Sequence, residues 1–247
     1  MNTQCDKVFF KEAILQENFF INQAVFLKYK RRFNWRTFRR EPFLIKVFIN
    51  ERIIEIPFAI HQLSIIPQGA QILDLGCTES ILPLFLAGLG YKVIGVDFRK
   101  YSYRVYNFQF VQGDILKLPF KDNCLDAITC ISTIEHIGRG FYNDPQNYVS
   151  ADILGMQEIK RVLKLKGLLI LSVPFGKASV NNQQRIYDKE GLTNLLEGFN
   201  TQVMRFYRNY ECKNRNNYWK EITLQEAEEI DSSQRTECVC LFSGWRK

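Results

Sequence analysis

Three acidic residues stand at the ends of strand-like apolar segments in the first half of the chain. Asp74 lies in Q-I-L-D-L just before Gly76, Asp97 ends the segment Y-K-V-I-G-V-D 23 residues later, and Asp114 follows F-Q-F-V-Q-G. An acidic residue about 20 residues beyond a glycine turn is placed to accept hydrogen bonds from ribose hydroxyls. The spacing therefore predicts a nucleoside site.

The turn after Q-I-L-D-L indicates which kind of nucleoside the site would bind. A dinucleotide site requires G-x-G-x-x-G, so that a helix N-terminus can hold the pyrophosphate. Here Gly76 is followed by Cys77-Thr78-Glu79-Ser80, and the Glu79 carboxylate would repel a phosphate. We therefore expect a nucleoside ligand without phosphates. A strand end followed by an ordinary turn is the alternative.

A group able to move a proton near neutral pH lies farther along, in the sequence S-T-I-E-H-I-G. His136 is the candidate general base, with Glu135 beside it. A structural or cofactor-adjacent histidine is the competing interpretation. Arg185 and Tyr187, in a later loop, could orient an anionic or polyhydroxyl substrate, or could tie that loop down. His136, Arg185 and Tyr187 are the predicted catalytic residues, and no metal site is predicted.

The stretch D-L-G-C, with the acidic residues that follow it, resembles the first motif of the class I S-adenosylmethionine-dependent methyltransferases. That motif is an acidic residue followed by G-x-G-x-G, and this chain departs from it at Glu79 and Ser80. The resemblance implies S-adenosyl-L-methionine as cofactor, with Asp97 on the ribose and Asp114 on the adenine amino group. It implies these cofactor-binding residues: Asp74, Gly76, Cys77, Ser80, Asp97, Phe98, Asp114, Ile115 and Ser132.

A finer resemblance covers about residues 70–200. The combination of E-H-I-G with a later R-I-Y resembles a poorly characterised branch of this superfamily, a domain of unknown function with members suspected of acting on sugars. Where that pattern often has a histidine, this chain has Gln183, which weakens a mechanism with two histidines. The branch implies a small-molecule or glycan-type acceptor and O-methylation.

Strand-like and helical segments alternate from residue 70 onward, which predicts parallel strands joined by right-handed crossovers. The predicted fold is α/β, Rossmann-like and doubly wound. Its mostly parallel seven-stranded sheet has an antiparallel last strand and an N-terminal helical extension. Residues 1–66 are predicted to form that extension, a candidate lid, and residues 67–247 the methyltransferase domain. The polar connection 211–236 is longer than a hairpin requires, which indicates either an ornament over the site or an interaction surface. An acidic helix is predicted within it, near residues 223–230.

Composition restricts the setting of the protein. The longest apolar run, from Ile81 to Leu89, has nine residues including a proline, so no membrane span is expected. Seven cysteines without a C-x-x-C pair predict reduced thiols in a cytoplasmic protein. The oligomeric state cannot be read from these residues.

Seven cations and no acid fall within residues 28–40, which equals the whole net charge of +7. This aromatic and basic stretch could contact RNA or an anionic membrane surface, although a solvated helix face is favoured. The alternatives to a small-molecule enzyme are therefore an RNA-binding or RNA-modifying protein built on the same fold, and a catalytically inactive partner subunit. The chain lacks an N/D-P-P-Y/F tetrad and a paired-carboxylate metal set, which argues against methylation of adenine or glutamine nitrogens and against metal-dependent catechol-type reactions.

Overall fold

A computed structural model describes residues 50–101, 103–140, 150–211, 217–233 and 235–247. The basic stretch 28–40 and most of the predicted helical extension and candidate lid, residues 1–66, lie outside these ranges. In chain order the helices are α1 Arg52–Leu63, α2 Leu82–Gly88, α3 Ala151–Val162, α4 Lys189–Leu195 and α5 Leu224–Glu228. The strands are β1 Gln71–Leu75, β2 Lys92–Asp97, β3 Phe108–Gln112, β4 Leu125–Ile131, β5 Leu163–Pro174, β6 Ser179–Val180, β7 Arg185–Ile186, β8 Phe199–Tyr210, β9 Tyr218–Ile222 and β10 Cys238–Arg246.

The main sheet has the strand order β3-β2-β1-β4-β5-β10-β8-β9. Strands β1 to β5 pair in parallel, whereas β10 is antiparallel to its two neighbours, β5 and β8. The predicted fold class is confirmed. The described sheet has eight strands, one more than the seven predicted, because β9 from the polar connection pairs antiparallel with β8.

The central strands are apolar at successive positions because helices cover both faces of the sheet. Side chains of a strand alternate between its faces. In β1, Leu73 packs in the cluster that contains residues of α3 and α4, whereas Ile72 packs in the cluster with α1 and α2. Both side chains are fully buried.

The order of the strands reverses direction between β1 and β4, and this is where an open α/β sheet binds its ligand. The register pairs Asp74 with Gly95 on β2 and with Thr129 on β4, and pairs Asp97 with Gln112 on β3. Parallel strands end at the same edge, so the three acidic segments converge there.

Candidate functional site

A cavity of about 350 Å³ opens at the carboxyl edge of the sheet, between the ends of β1, β2, β3 and β4 and the start of α1. Six of the nine predicted cofactor residues line it, together with His136. Its walls are Asn50, Glu51, Arg52, Gly76, Glu79, Asp97, Phe98, Arg99, Gly113, Asp114, Ile115, Ser132, Thr133, His136 and Ile137.

The turn after β1 takes its shape from Gly76, whose φ of +73° lies in the left-handed region. A Cβ at this position would come within 2.2 Å of Thr133 Oγ1. A single 3-10 turn, Cys77–Glu79, follows and replaces the glycine-rich loop of the family motif. Gly76 therefore allows the backbone to pass close to the loop after β4 at the cavity wall.

Asp97 holds this turn in place. Its Oδ2 accepts a hydrogen bond from the Thr78 backbone N–H at 2.9 Å, and its Oδ1 accepts from the Arg99 backbone N–H at 2.9 Å and from Arg99 Nε at 3.4 Å. A carboxylate offers about four acceptor positions, so one remains for a ribose hydroxyl, and the long Nε contact is the easiest to displace. The carboxylate of Glu79, which would repel a phosphate, pairs with Arg99 Nη1 at 2.5 Å.

Asp114 begins the 3-10 turn Ile115–Lys117, because its Oδ1 accepts from the Leu116 backbone N–H at 2.9 Å. Among the described residues, Oδ2 of the same carboxylate has no hydrogen-bond partner. Asp114 lines the cavity, and this oxygen fits the role predicted for it, as acceptor from an adenine amino group.

Asp74 lies beneath the cavity rather than in its wall, and its side chain is buried. Oδ1 accepts from Thr129 Oγ1 at 2.5 Å, whereas the buried Oδ2 has no partner among the described residues. Burial raises the pKa of this carboxyl to about 7, although the Thr129 hydrogen bond and Arg52 oppose the shift. A buried polar atom without a partner destabilises the empty protein, so a cationic ligand nearby would relieve that cost.

The Asp74 pKa gives a test in the cofactor-free protein. Between about pH 4 and pH 7 the folded state holds a proton that the unfolded chain has released, so this group stabilises the fold at low pH and the contribution is lost as pH rises through 7. Asp74→Asn is therefore expected to raise the thermal unfolding midpoint by several degrees at pH 8 and by less at pH 5.5, since about 1 kcal/mol shifts the midpoint of a chain of this size by about 2–4 °C.

Asp126→Asn is the matched control on β4. The pKa of Asp126 is lowered because hydrogen bonds from Lys164 and the Gln71 backbone outweigh its desolvation. Its replacement should lower the midpoint at both pH values. An Asp74→Asn variant whose midpoint falls equally at both pH values would contradict the raised pKa.

Gly76 gives a second test of the site. Gly76→Ala is expected to destabilise the protein by roughly 2–3 kcal/mol, because a left-handed backbone disfavours alanine and the Thr133 side chain must move. Gly88→Ala is the control, since no atom lies within 4 Å of its Cβ position and its φ is ordinary. That change should leave stability unchanged or raise it slightly. Denaturant unfolding measures both, and equal effects would contradict the structural role of Gly76.

His136 lies in the single 3-10 turn Ile134–His136 after β4. Its Nδ1 is 2.7 Å from the Gln183 carbonyl oxygen, and its Nε2 is 3.7 Å from Glu135 Oε1. A carbonyl oxygen only accepts hydrogen bonds, so Nδ1 carries the proton and Nε2 is the basic atom of the neutral ring. Burial raises the pKa of Glu135 to about 7, and its Oε2 is buried without a partner among the described residues.

Arg185 and Tyr187 do not line the cavity. Both side chains are buried, and both contact Asp152 of α3: Arg185 Nε at 3.6 Å and the Tyr187 hydroxyl at 2.9 Å. Arg185 Nη1 also donates to the carbonyl oxygens of Glu135 and Ile137, at 3.3 and 2.7 Å. Of the two roles left open by the sequence, the geometry favours tying down the loop that carries His136.

Cys77 and Ser80 also lie outside the cavity wall. The Cys77 side chain is fully buried beside β2, and burial raises the pKa of its thiol. Ser80 Oγ accepts from the Leu82 backbone N–H at 3.1 Å and begins the chain's entry into α2. The structure places both residues behind the turn that forms the wall.

The contribution of α1 to the cavity was not predicted from the sequence. Glu51 and Arg52 line the cavity, and the side chain of Glu55, one turn later, reaches the sheet edge. Glu55 Oε1 accepts hydrogen bonds from Ser132 Oγ and Ser172 Oγ, both at 2.6 Å. Ser132 itself adopts a φ of +42°. A charged residue in the first turn of a helix usually faces solvent, so no sequence signal indicated a buried contact 77 residues away.

A second, wider depression of about 710 Å³ lies between the end of β5 and α4. Side chains of both charges form its open walls, including Lys177, Lys189 and Glu190. Among its described walls no buried polar atom lacks a partner. The site at the sheet edge is therefore the stronger candidate.

Residues 73–171 match a family model described as a methyltransferase domain. This segment runs from β1 into β5 and contains the three acidic strand ends and His136. This part of the chain therefore resembles a methyltransferase domain, and it has the Rossmann-like α/β fold that the sequence predicted.

Known proteins resemble the chain over different extents. The 1,6-didemethyltoxoflavin-N1-methyltransferase of Burkholderia thailandensis, solved with its substrate and S-adenosylhomocysteine, has a TM-score of 0.55, 13% identity and coverage of 96% of this chain and 89% of that one. A S-adenosylmethionine-dependent methyltransferase from Methanosarcina mazei has a TM-score of 0.51, 16% identity and coverage of 81% and 99%. These similarities show the fold.

In sequence, the demethylmenaquinone methyltransferase of Staphylococcus saprophyticus is 32% identical over 116 residues, which is 42% of this chain and 45% of that protein. The chain thus spans less than half the length of the curated relatives that it matches.

Three observations bear on the fit of S-adenosyl-L-methionine to the cavity. Asp97 and Asp114 keep acceptor capacity for an adenosine, Gly76 removes the side chain that would fill the space at Thr133, and Asp74 Oδ2 is buried without a partner among the described residues. Buried carboxylates suit a ligand with a sulfonium and an ammonium group. The residues present fit this cofactor.

Proposed function

We propose that this chain is a cytoplasmic S-adenosylmethionine-dependent methyltransferase that methylates an oxygen atom of a small-molecule or glycan-type acceptor. The observation that carries the proposal is the cavity at the reversal of strand order, where Asp97, Asp114 and His136 meet. When bound, the cofactor supplies a methyl group on a positively charged sulfur. The five described cysteines are all free, in keeping with a reducing compartment.

The residues in and behind the cavity wall have different roles in such an enzyme. Asp97 accepts hydrogen bonds from the ribose hydroxyls, and Asp114 Oδ2 accepts one from the adenine amino group. His136 Nε2 takes the proton of the acceptor hydroxyl as the oxygen attacks, and Glu135 stabilises the imidazolium that results. Arg185 holds the backbone of this loop, so that the imidazole keeps its position.

A small-molecule acceptor is supported by the relatives, which are named for demethylmenaquinone and 1,6-didemethyltoxoflavin. Oxygen as the acceptor atom, and a glycan-type acceptor, rest on the E-H-I-G and R-I-Y resemblance and on a base at His136. The RNA-binding alternative depends on residues 28–40, which lie outside the described part of the chain. None of the described helices is long and apolar enough to cross a bilayer.

Isothermal titration of the full chain with S-adenosylhomocysteine tests the proposal. Saturable one-site binding is expected, because the nucleoside and amino-acid parts of this compound are those of the cofactor. A folded sample that binds neither S-adenosylhomocysteine nor S-adenosylmethionine would overturn it.

A further inference from the structure

Arg52 is the first residue of α1 and lines the cavity, and its side chain is 15% exposed. Nη1 donates to Glu55 Oε2 and to the Ile131 carbonyl oxygen, both at 3.1 Å. Among the described residues, Nη2 and Nε have no hydrogen-bond partner. The side of the guanidinium that can bind a carboxylate with two parallel hydrogen bonds therefore makes no hydrogen bond to the described part of the chain.

Two strands fix this guanidinium through Glu55. The Glu55 side chain is fully buried, and its Oε1 accepts from Ser132 at the end of β4 and from Ser172 on β5, both at 2.6 Å. Its Oε2 holds Arg52. These contacts hold Arg52 in place without a ligand, and such preorganisation lowers the entropic cost of binding.

The charges around Arg52 indicate what kind of ligand fits. Burial lowers the Arg52 pKa, but the carboxylates of Glu55, Glu51, Glu135 and Asp74 more than offset this and raise it. Two of these carboxylates, Asp74 and Glu135, keep a buried oxygen without a partner among the described residues. An isolated anion would be repelled here, whereas a zwitterion supplies a carboxylate to the guanidinium and a cation to the acids.

We infer that Arg52 binds the carboxylate of the amino-acid part of the cofactor; the inference rests on the proposed function. Asp97 and Asp114 hold the nucleoside part at the ends of β2 and β3, and Arg52 holds the other end beside β4. Arg52 is accordingly a determinant of specificity for an amino-acid-bearing nucleoside.

Two ligands separate this role from a structural one. S-adenosylhomocysteine has the amino-acid part, whereas 5′-methylthioadenosine has only the nucleoside and a methylthio group. For Arg52→Met in the full chain, titration calorimetry is expected to show S-adenosylhomocysteine binding weakened about 10- to 100-fold, the range for losing charge-assisted hydrogen bonds. Methylthioadenosine affinity should change by less than about threefold, since it makes no contact with Arg52.

Controls cover a loss of folding. Arg52→Lys keeps the charge but not the paired donors, and it should weaken S-adenosylhomocysteine alone by a smaller factor. Arg205→Met, an exposed arginine of β8 paired with Glu221, is the matched control and should change neither affinity. Thermal unfolding shows whether each variant is folded. If Arg52→Met does not fold, the affinities of Arg52→Lys for the two ligands test the role of Arg52.

The outcomes separate the two claims. Equal weakening of both ligands in folded Arg52 variants, or unchanged S-adenosylhomocysteine affinity, would overturn the role of Arg52 and leave the proposed function standing. An unaltered protein that binds neither ligand would overturn the proposed function, and the inference with it.

Discussion

The Asp97→Ala variant is expected to bind S-adenosylhomocysteine at least about 100-fold more weakly than the unaltered protein. The carboxylate is the predicted acceptor for the ribose, and a lost hydrogen bond to a charged group costs about 1.5–3 kcal/mol. It also holds the Thr78 and Arg99 backbone N–H groups that shape the cavity wall. Its removal therefore acts on the ligand and on the wall together. Isothermal titration measures the affinity.

Two further variants separate these contributions. Asp97→Asn keeps one oxygen acceptor and the size of the side chain, so it should weaken binding less than alanine does. Asp122→Ala removes an exposed carboxylate that pairs with Arg161 away from the cavity, and should leave the affinity unchanged. Unaltered affinity in a folded Asp97→Ala sample would remove the ribose contact from the proposal.

The His136→Ala variant is expected to lower the rate of methyl transfer by about 10²- to 10⁴-fold, the usual contribution of a general base. Affinity for S-adenosylhomocysteine should fall by less than tenfold, because the adenosine contacts assigned to Asp97 and Asp114 remain. The rate is measured as transfer of a labelled methyl group from S-adenosylmethionine to hydroxyl-bearing small molecules and oligosaccharides. Cofactor affinity is measured on the same samples.

Gln183→Ala is a sensitive control for the histidine. The contact with His136 Nδ1 uses the backbone carbonyl of Gln183, which alanine retains, so the rate should be almost unchanged. Glu135→Gln removes the charge that stabilises the imidazolium and should slow transfer by about tenfold. A His136→Ala enzyme that transfers methyl groups at the unaltered rate would exclude this residue as the base.

The relation of Arg185 and Tyr187 to His136 shows how the sequence can locate a motif and leave its role open. The sequence placed R-I-Y near E-H-I-G, and the structure brings the two segments together. The spacing could not reveal that Arg185 contacts backbone oxygens, because both roles require an arginine at that position. The direction of its side chain is set by Asp152, which lies 33 residues earlier on α3.

The polar connection between β8 and β10 gives a similar result in the fold. Its length indicated either an ornament over the site or an interaction surface, whereas Tyr218–Ile222 forms a strand beside β8. The predicted acidic helix near 223–230 appears as α5 Leu224–Glu228, begun by a capping box of Thr223 and Glu226. The cap is a local signal, while the pairing of β9 depends on the partner strand.

The sequence by itself determined the order of strands and helices, the three acidic strand ends and the turn at Gly76. These features arise from hydrophobic periodicity and backbone preference, which act between residues close in the chain. Only the tertiary structure decided that α1 brings Arg52 and Glu55 to the cavity, and that Arg185 lies behind its wall. Those positions depend on contacts between distant segments, such as Glu55 with Ser132 and Ser172, whose geometry is set when the elements pack together.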